Sequence, residues 1–256
     1  MDLTTENYFS QEAARAFWSV SQFKSFNRCE AAGLAEARGE YTREETEALL
    51  IGSYVDAYFS GELPGFQEQH ADRMFTKKGD LYAKFYQAND MIKAIERQPL
   101  MVDYLQGEKQ VIKTAELFGV PWRIKMDVYN GERIVDLKTV RDFDSIYDAA
   151  YGSRRSWIEF WGYDIQGAVY QKVVEAETGR RLPFFIAAVT KEKTPDVDLI
   201  EIPQHALDAA LGLVEAKIDR FDLIKSGEVE PIRCERCDYC KRTKQLQEAS
   251  IYEPEE

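Results

Sequence analysis

The sequence predicts an α+β (mixed α/β) fold in which a helical N-terminal region precedes a central mixed sheet flanked by helices. Three observations carry that prediction. Apolar residues recur at helical spacing through roughly the first hundred positions. The period then drops to two over three consecutive runs, the last two joined by Asn130-Gly131, a strong short-range hairpin signal. One helix, two strands and a long helix follow, an order without the repeating βαβ rhythm of a doubly wound sheet.

Each element has its own signal. Ser19 is placed to cap a helix carrying Val20, Phe23, Phe26 and Asn27. Thr42 with Glu45 three residues on has the capping-box form and opens a helix toward Phe59. A third helix covers about 81–97, with Tyr82, Phe85, Tyr86, Met91, Ile92 and Ile95 at helical spacing, and Pro99 ends it. Strands follow over 110–118, 122–129 and 133–140, with Gly119 and Pro121 marking the first junction. A helix over about 157–176, strands over 183–190 and 198–202, and a long helix from Gln204 complete the order. With no repeat and no low-complexity linker, the chain reads as one domain, 1–256: a helical region 1–107, a sheet core 108–203, and a C-terminal helix and cysteine loop 204–256.

Composition narrows the function classes. The 256 residues are 45% hydrophobic and 12% aromatic, enough for a well-filled core. A net charge of −12 argues against coating nucleic acid through bulk electrostatics. It leaves room for a nuclease, because acidic residues meet a phosphate through a metal ion. No run is long enough to span a bilayer, and the N-terminus lacks a secretion signal, so a cytoplasmic protein with no membrane partner is the default.

The Asn130-Gly131 hairpin sets a register. A two-residue turn pairs Tyr129 with Glu132, Val128 with Arg133 and Asp127 with Ile134. Period two then puts Asp127, Asp136 and Lys138 on one face, with Trp122, Ile124, Met126, Val128, Val135 and Leu137 on the other. Asp127 and Asp136 become diagonal neighbours, about 7–8 Å apart at the backbone, so both carboxylates can reach one cation. Hard oxygen ligands beside a lysine suit magnesium or manganese, not zinc. Such an ion lowers the pKa of water and neutralises a phosphate, while Lys138 orients or helps deprotonate the water. Glu116, on the first strand, is a further carboxylate whose register the turn after it does not fix.

The strings Gly119-Val-Pro-Trp-Arg-Ile-Lys-Met-Asp127 and Ile134-Val-Asp136-Leu-Lys138-Thr resemble the core of RecE-type exonucleases, relatives of lambda exonuclease within the PD-(D/E)XK superfamily. Three more pieces fall in that family's order: Gly52-Ser-Tyr-Val-Asp56, where the family often has His at the last position; Gln166-Gly-Ala-Val-Tyr170; and Phe23-Lys-Ser-Phe-Asn-Arg-Cys29. The resemblance runs from about residue 19 to residue 244. It implies a restriction-endonuclease-like core and a metal site of Asp56, Asp127 and Asp136, with Lys138, Gln166 and Tyr170 completing the catalytic set. It further implies degradation of linear double-stranded DNA from 5′ to 3′, delivery of the remaining strand to a single-strand annealing protein for recombination, and a homo-oligomeric ring. Gln166 and Tyr170, four apart, share a helical face from which they can hold a DNA phosphate or fix Lys138.

Cys234-Glu-Arg-Cys237-Asp-Tyr-Cys240 has the tight spacing of iron–sulfur proteins, and Cys29 is the remaining candidate for a fourth ligand. In related helicase-linked and CRISPR-adaptation nucleases a [4Fe–4S] cluster pins the two ends of the domain. Zinc held by four thiolates is the alternative. Arg154, Arg155, Lys241, Arg242 and Lys244 can meet phosphates, and Trp157 or Trp161 can stack on an unpaired base. Two competing functions stand beside the exonuclease: a single-strand-acting nuclease of the CRISPR-adaptation or helicase-linked type, and a non-catalytic DNA-repair module that keeps the fold.

Overall fold

The structure is a computed structural model that describes residues 1–44, 46–246, 248 and 249. Its helices before the sheet are α1 (Gln11–Ala16), α2 (Val20–Arg28), α3 (Glu30–Arg38), α4 (Glu47–Ser60), α5 (Leu63–Gln69), α6 (Ala71–Met74), α7 (Tyr86–Glu96) and α8 (Pro99–Tyr104). The strands β1 (Glu108–Leu117), β2 (Val120–Tyr129) and β3 (Ile134–Val140) come next, then a small hairpin of β4 (Ile146–Asp148) and β5 (Ser153–Arg155). Helices α9 (Trp157–Trp161) and α10 (Tyr163–Thr178), strands β6 (Phe184–Thr190) and β7 (Val197–Glu201), and helices α11 (Gln204–Ser226) and α12 (Asp238–Arg242) finish the chain. No helix among the described residues is long and apolar enough to cross a membrane.

The five-stranded sheet runs β1-β2-β3-β6-β7, parallel between β3 and β6 and antiparallel elsewhere. Both faces are covered. Phe23, Phe26, Val169, Val173, Val214 and Ile218 from α2, α10 and α11 pack on one side; Leu50, Val55, Met91 and Ile95 from α4 and α7 pack on the other. A fully buried phenylalanine such as Phe23 contributes about 2–3 kcal/mol through apolar burial alone. The expected mixed fold is therefore present as three layers, with helices on either side of one mixed sheet.

Several local expectations change. Ser19 caps α2 as its position suggests, its Oγ accepting from Gln22 N at 3.3 Å. The next capping residue is Thr46, whose hydroxyl accepts from Leu49 N at 3.3 Å; Thr42 lies before the helix, and Glu45 is outside the described residues. Pro99 opens α8 instead of only closing α7, since proline at the first helical position loses no intrahelical donor. The helix expected over 157–176 divides at Gly162, which takes a left-handed conformation with φ 64°.

The β2–β3 register also differs. Tyr129 pairs with Ile134 and Val128 with Val135, so the connection spans four residues rather than two. The cause is the Asn130 side chain, whose Oδ1 accepts from both Glu132 N and Arg133 N at 3.0 Å and builds a local turn. A shift of two keeps each β3 residue on its expected face, which is why Asp136 and Lys138 stay together. On β2 the alternation breaks at Asp127. Trp122, Ile124 and Met126 join the cluster under α2 and α10, whereas Val128 joins Val135 and Leu137 in the opposite one. Opposite the break, Gln110 on β1 has φ 54°.

Beyond Val128 the two strands part, and the backbone of Trp18 takes the vacated edge of β2. Trp18 N donates to Pro121 O at 2.7 Å and Arg123 N donates to Trp18 O at 2.8 Å. This pairing seats the start of α2 beside the gap, and the site lies in that gap.

Candidate active site and cysteine centre

Asp136 is the hub. Its side chain is buried; Oδ1 accepts from Gln166 Nε2 at 2.7 Å, and Oδ2 faces Lys138 Nζ at 2.5 Å. The partner of that second oxygen is thus the Lys138 ammonium. An ionised carboxylate oxygen has more than one lone pair, so this contact leaves room for a second cation. Asp127, at the end of the β2–β3 pairing, uses Oδ2 to accept from Leu137 N at 2.8 Å, a backbone group freed where the strands separate. Asp56 arrives from α4. Gly52, one turn earlier, permits the approach: a Cβ there would sit 2.5 Å from Thr139 Oγ1, so only glycine lets the helix press against β3. Gln110 Nε2 donates to Asp56 Oδ2 at 3.5 Å.

The charges are strained against one another. Burial raises the Asp127 pKa well above the usual carboxylate range, and Asp136 and Asp56 push it further against the pull of Lys138. Asp56 is raised chiefly by burial, with Asp136 adding and Lys138 opposing. Burial works to neutralise Lys138, but Asp136 and Asp127 outweigh it and raise its pKa, so the lysine stays an ammonium. Among the described residues the three carboxylates do not close into a ligand-spaced group; the cysteines alone do. Two partly buried carboxylates with raised pKa values beside a buried third fit a divalent cation, whose charge would relieve the repulsion.

The face that carries Asp136 and Lys138 is not open to solvent. Helix α10 covers it, bringing Gln166 onto Asp136 instead of Lys138. Tyr170, four residues on, is buried and donates to the Lys125 carbonyl at 2.9 Å, tying α10 to β2 beside Asp127. Tyr170 thus positions the strand. Glu116 is exposed opposite Pro121, six residues along β1 from Gln110, or about 20 Å at strand rise, and so stands outside the site.

At the other end of α2, Cys29, Cys234, Cys237 and Cys240 bring their sulfurs within 4.8 Å of one another. Cys29 and Cys240 are buried, with Sγ atoms 3.6 Å apart; Cys234 and Cys240 stand at 3.9 Å. Backbone groups converge on them: Cys237 N donates to Cys234 Sγ at 3.3 Å and Cys240 N to Cys237 Sγ at 3.5 Å. Burial pushes the Cys234 thiol up, but backbone donors from Arg236 and Cys237 overcome it and lower the pKa to about 6. Burial raises Cys237 to about 12 and raises Cys29 as well. One ready thiolate surrounded by three further sulfurs is a donor set suited to a soft cation.

A family model described as "PDDEXK-like domain of unknown function (DUF3799)" matches residues 19–243, spanning the α2 helix, the Asp127–Asp136–Lys138 sheet and the cysteines. The chain belongs to that family. The PDDEXK-like chain is 44% identical to a crystallised protein named "Putative exonuclease" from Eubacterium rectale, over 98% of its own length and 97% of that protein's, with a TM-score of 0.92. A second solved structure, SSO0001, shares 15% identity over 81% of this chain and 89% of its own, with a TM-score of 0.31, too low to bear on the fold. No curated protein matches the chain.

Of the expected DNA-contacting residues, Trp157 belongs to the core, stacked near Phe143 and Tyr163. Arg155 is engaged with Asp148 and the Tyr151 ring, and Arg154 with Ser145. Arg242 reaches Glu44 at 3.5 Å, while Trp161 remains 40% exposed. Sequence reasoning missed Lys24 and Tyr163, which the fold places beside Lys138. Their sole sequence signal was Lys24 falling between Phe23 and Phe26 in the expected α2 helix.

Proposed function

We propose that this PDDEXK-like protein is a magnesium- or manganese-dependent deoxyribonuclease, acting as an exonuclease on linear double-stranded DNA from 5′ to 3′. The observation that carries the reading is the Asp136–Lys138 pair on β3 with Asp127 beside it, at the point where β2 and β3 part. The 44% identical relative named as an exonuclease supports the same reading. Asp56, Asp127 and Asp136 would hold the cation, which supplies positive charge against the phosphate and makes water easier to ionise. Gln166 fixes the rotamer of Asp136. Lys138, held as an ammonium, orients the attacking water and meets charge developing on the phosphate; its raised pKa makes it a poor base. Single-stranded 3′ ends left by such an enzyme are substrates for a single-strand annealing protein, and a ring of copies would keep the acidic exterior away from the duplex.

At the cysteines the sulfur spacing favours zinc over the [4Fe–4S] cluster. A single ion with Zn–S bonds of about 2.3 Å sets tetrahedral sulfurs roughly 3.8 Å apart. Two of the six separations, 3.6 and 3.9 Å, match that, and all lie within 4.8 Å. A cubane gives each thiolate its own iron and holds the sulfurs further apart. Zinc without colour in the purified protein supports this assignment; iron with acid-labile sulfide would replace it with the cluster.

The deciding assay is hydrolysis of linear duplex DNA by wild type and Lys138→Ala, with and without magnesium, on free-ended, end-blocked and single-stranded substrates. Metal-dependent loss of free-ended duplex by wild type alone is the expected result. Cleavage of single strands only would favour the single-strand-acting reading, which the four cysteines support. No cleavage of any substrate with either metal would leave a non-catalytic DNA-repair module.

A further inference from the structure

Lys24 is a second cation at the catalytic centre, without a carboxylate partner. Helix α2 is pinned by Phe23 and Phe26, both buried, which turns the intervening Lys24 away from the aromatic cluster toward α10. Its ammonium donates to the Trp161 carbonyl at 3.0 Å and lies 5.4 Å from the centre of the Tyr163 ring. Lys138 Nζ stands 5.2 Å from that same ring. The two lysines thus share one tyrosine, with Asp136 beside Lys138. The chain has made room for this. Gly162 separates α9 from α10, and a Cβ there would come within 2.8 Å of Lys24 Cδ.

One helical turn further along α2, Arg28 lies 5.4 Å from the centre of the exposed Trp161 ring. Lys24 and Arg28 share a helical face, with a rise of about 6 Å between them. Among the described residues no carboxylate lies within ion-pair distance of either. Lys24 is partly buried and has no ion pair of its own, a cost that an arriving anion offsets, while Arg28 is exposed. Here they line a path leading away from Lys138, with an exposed indole along it.

We propose that Lys24, Arg28 and Trp161 form a binding track for the strand being cut. Lys24 binds a non-bridging oxygen of the phosphodiester next to the scissile one. Arg28 binds the following phosphate, and Trp161 stacks on its base, as arginine and aromatic side chains do in single-strand channels. The track rests on the nuclease reading above and adds a direction to it: the strand runs from the Asp136–Lys138 pair along α2 toward the cysteine centre.

The test uses full-length wild type, Lys24→Met, Lys24→Arg, Arg28→Ala and Trp161→Ala. Binding of a labelled duplex with a short single-stranded end is measured by anisotropy in calcium over a range of salt, and cleavage in magnesium gives kcat and KM. Lys24→Met is expected to lower kcat about tenfold or more, and to reduce the salt slope of binding by about one. Lys24→Arg restores the slope, which a lysine merely holding the Trp161 carbonyl would not require. Arg28→Ala and Trp161→Ala are expected to weaken binding and raise KM by about tenfold each, with kcat kept. Arg28 and Trp161 are exposed enough for their variants to fold even if Lys24→Met does not. Wild-type cleavage with unchanged slope, Kd and KM in Arg28→Ala and Trp161→Ala overturns the track and leaves the nuclease standing. Failure of wild type to bind or cut DNA overturns both.

Discussion

The two candidate ligand sites of the chain are built on opposite principles. At the cysteine centre, four soft donors from the two ends of the chain lie within 4.8 Å of one another, supplied with backbone hydrogen bonds. At the sheet, three hard donors stay apart, each occupied by a local partner: Asp136 by Gln166 and Lys138, Asp127 by Leu137 N, Asp56 by Gln110. Thiols can gather neutral, but carboxylates at neutral pH repel. A structural centre benefits from closure, whereas a centre that must admit a phosphate benefits from charge left unsettled until ion and substrate arrive. The first region should therefore govern stability and the second activity.

The sharpest attempt to break that division is Asp136→Asn. It is expected to lower nuclease activity about a thousandfold, while the amide retains a hydrogen bond to Gln166 and the melting temperature moves little. Asp136→Ala is a poorer test than a solvent-facing aspartate would make it, because Asp136 is buried and its loss strands the Lys138 ammonium. A large fall in melting temperature for the asparagine variant would erase the contrast.

Cys237→Ser should give the opposite profile. Loss of a structural metal is expected to cost about 3 kcal/mol, or roughly 6–12 °C in a chain of this size, with bound metal lost. Activity per folded molecule should fall less than tenfold. Unchanged melting and metal content would remove the staple. Asp56→Asn ranks next: the magnesium concentration for half-maximal activity is expected to rise about tenfold, with the limiting rate largely kept. An unaltered magnesium curve would exclude Asp56 from the ligand set.

These expectations differ in how visible they were in the sequence. Asp136 and Lys138 were legible because a strand has period two, and the two-residue error in hairpin length cancels within that period. Asp127 was legible as a residue but not as a break in alternation, since nothing local in Trp122-Arg-Ile-Lys-Met-Asp-Val announces that β3 will part from β2. Thr46 lost out to Thr42 because both carry a hydroxyl before a helix and the capping-box spacing favoured the wrong one. Lys24 and Tyr163 meet across 139 positions of sequence, and only the seating of α2 by Trp18 brings them together.

The smallest effect concerns pH. Because burial and neighbouring carboxylates raise the folded-state pKa of Asp127, its contribution favours the metal-free fold below the ordinary carboxylate range. That contribution is lost as pH rises through the raised value. Without metal, Asp127→Asn is expected to melt slightly higher than wild type at neutral pH, with the gap closing in acid. Saturating magnesium should reverse the order. A gap independent of pH would mean that the charge strain at the sheet is absent.

The cysteine closure also carries a schedule. Cys29 and Cys240 are separated by 211 residues, so the Cys29 thiol waits for a partner encoded far downstream. At about 5–20 residues per second, that is a wait of roughly ten to forty seconds on the ribosome. The helix that ends in Cys29 also carries the flank of the gap between β2 and β3. The segment that locks this helix thus emerges long after the helix itself, and the flank of the gap is fixed only then.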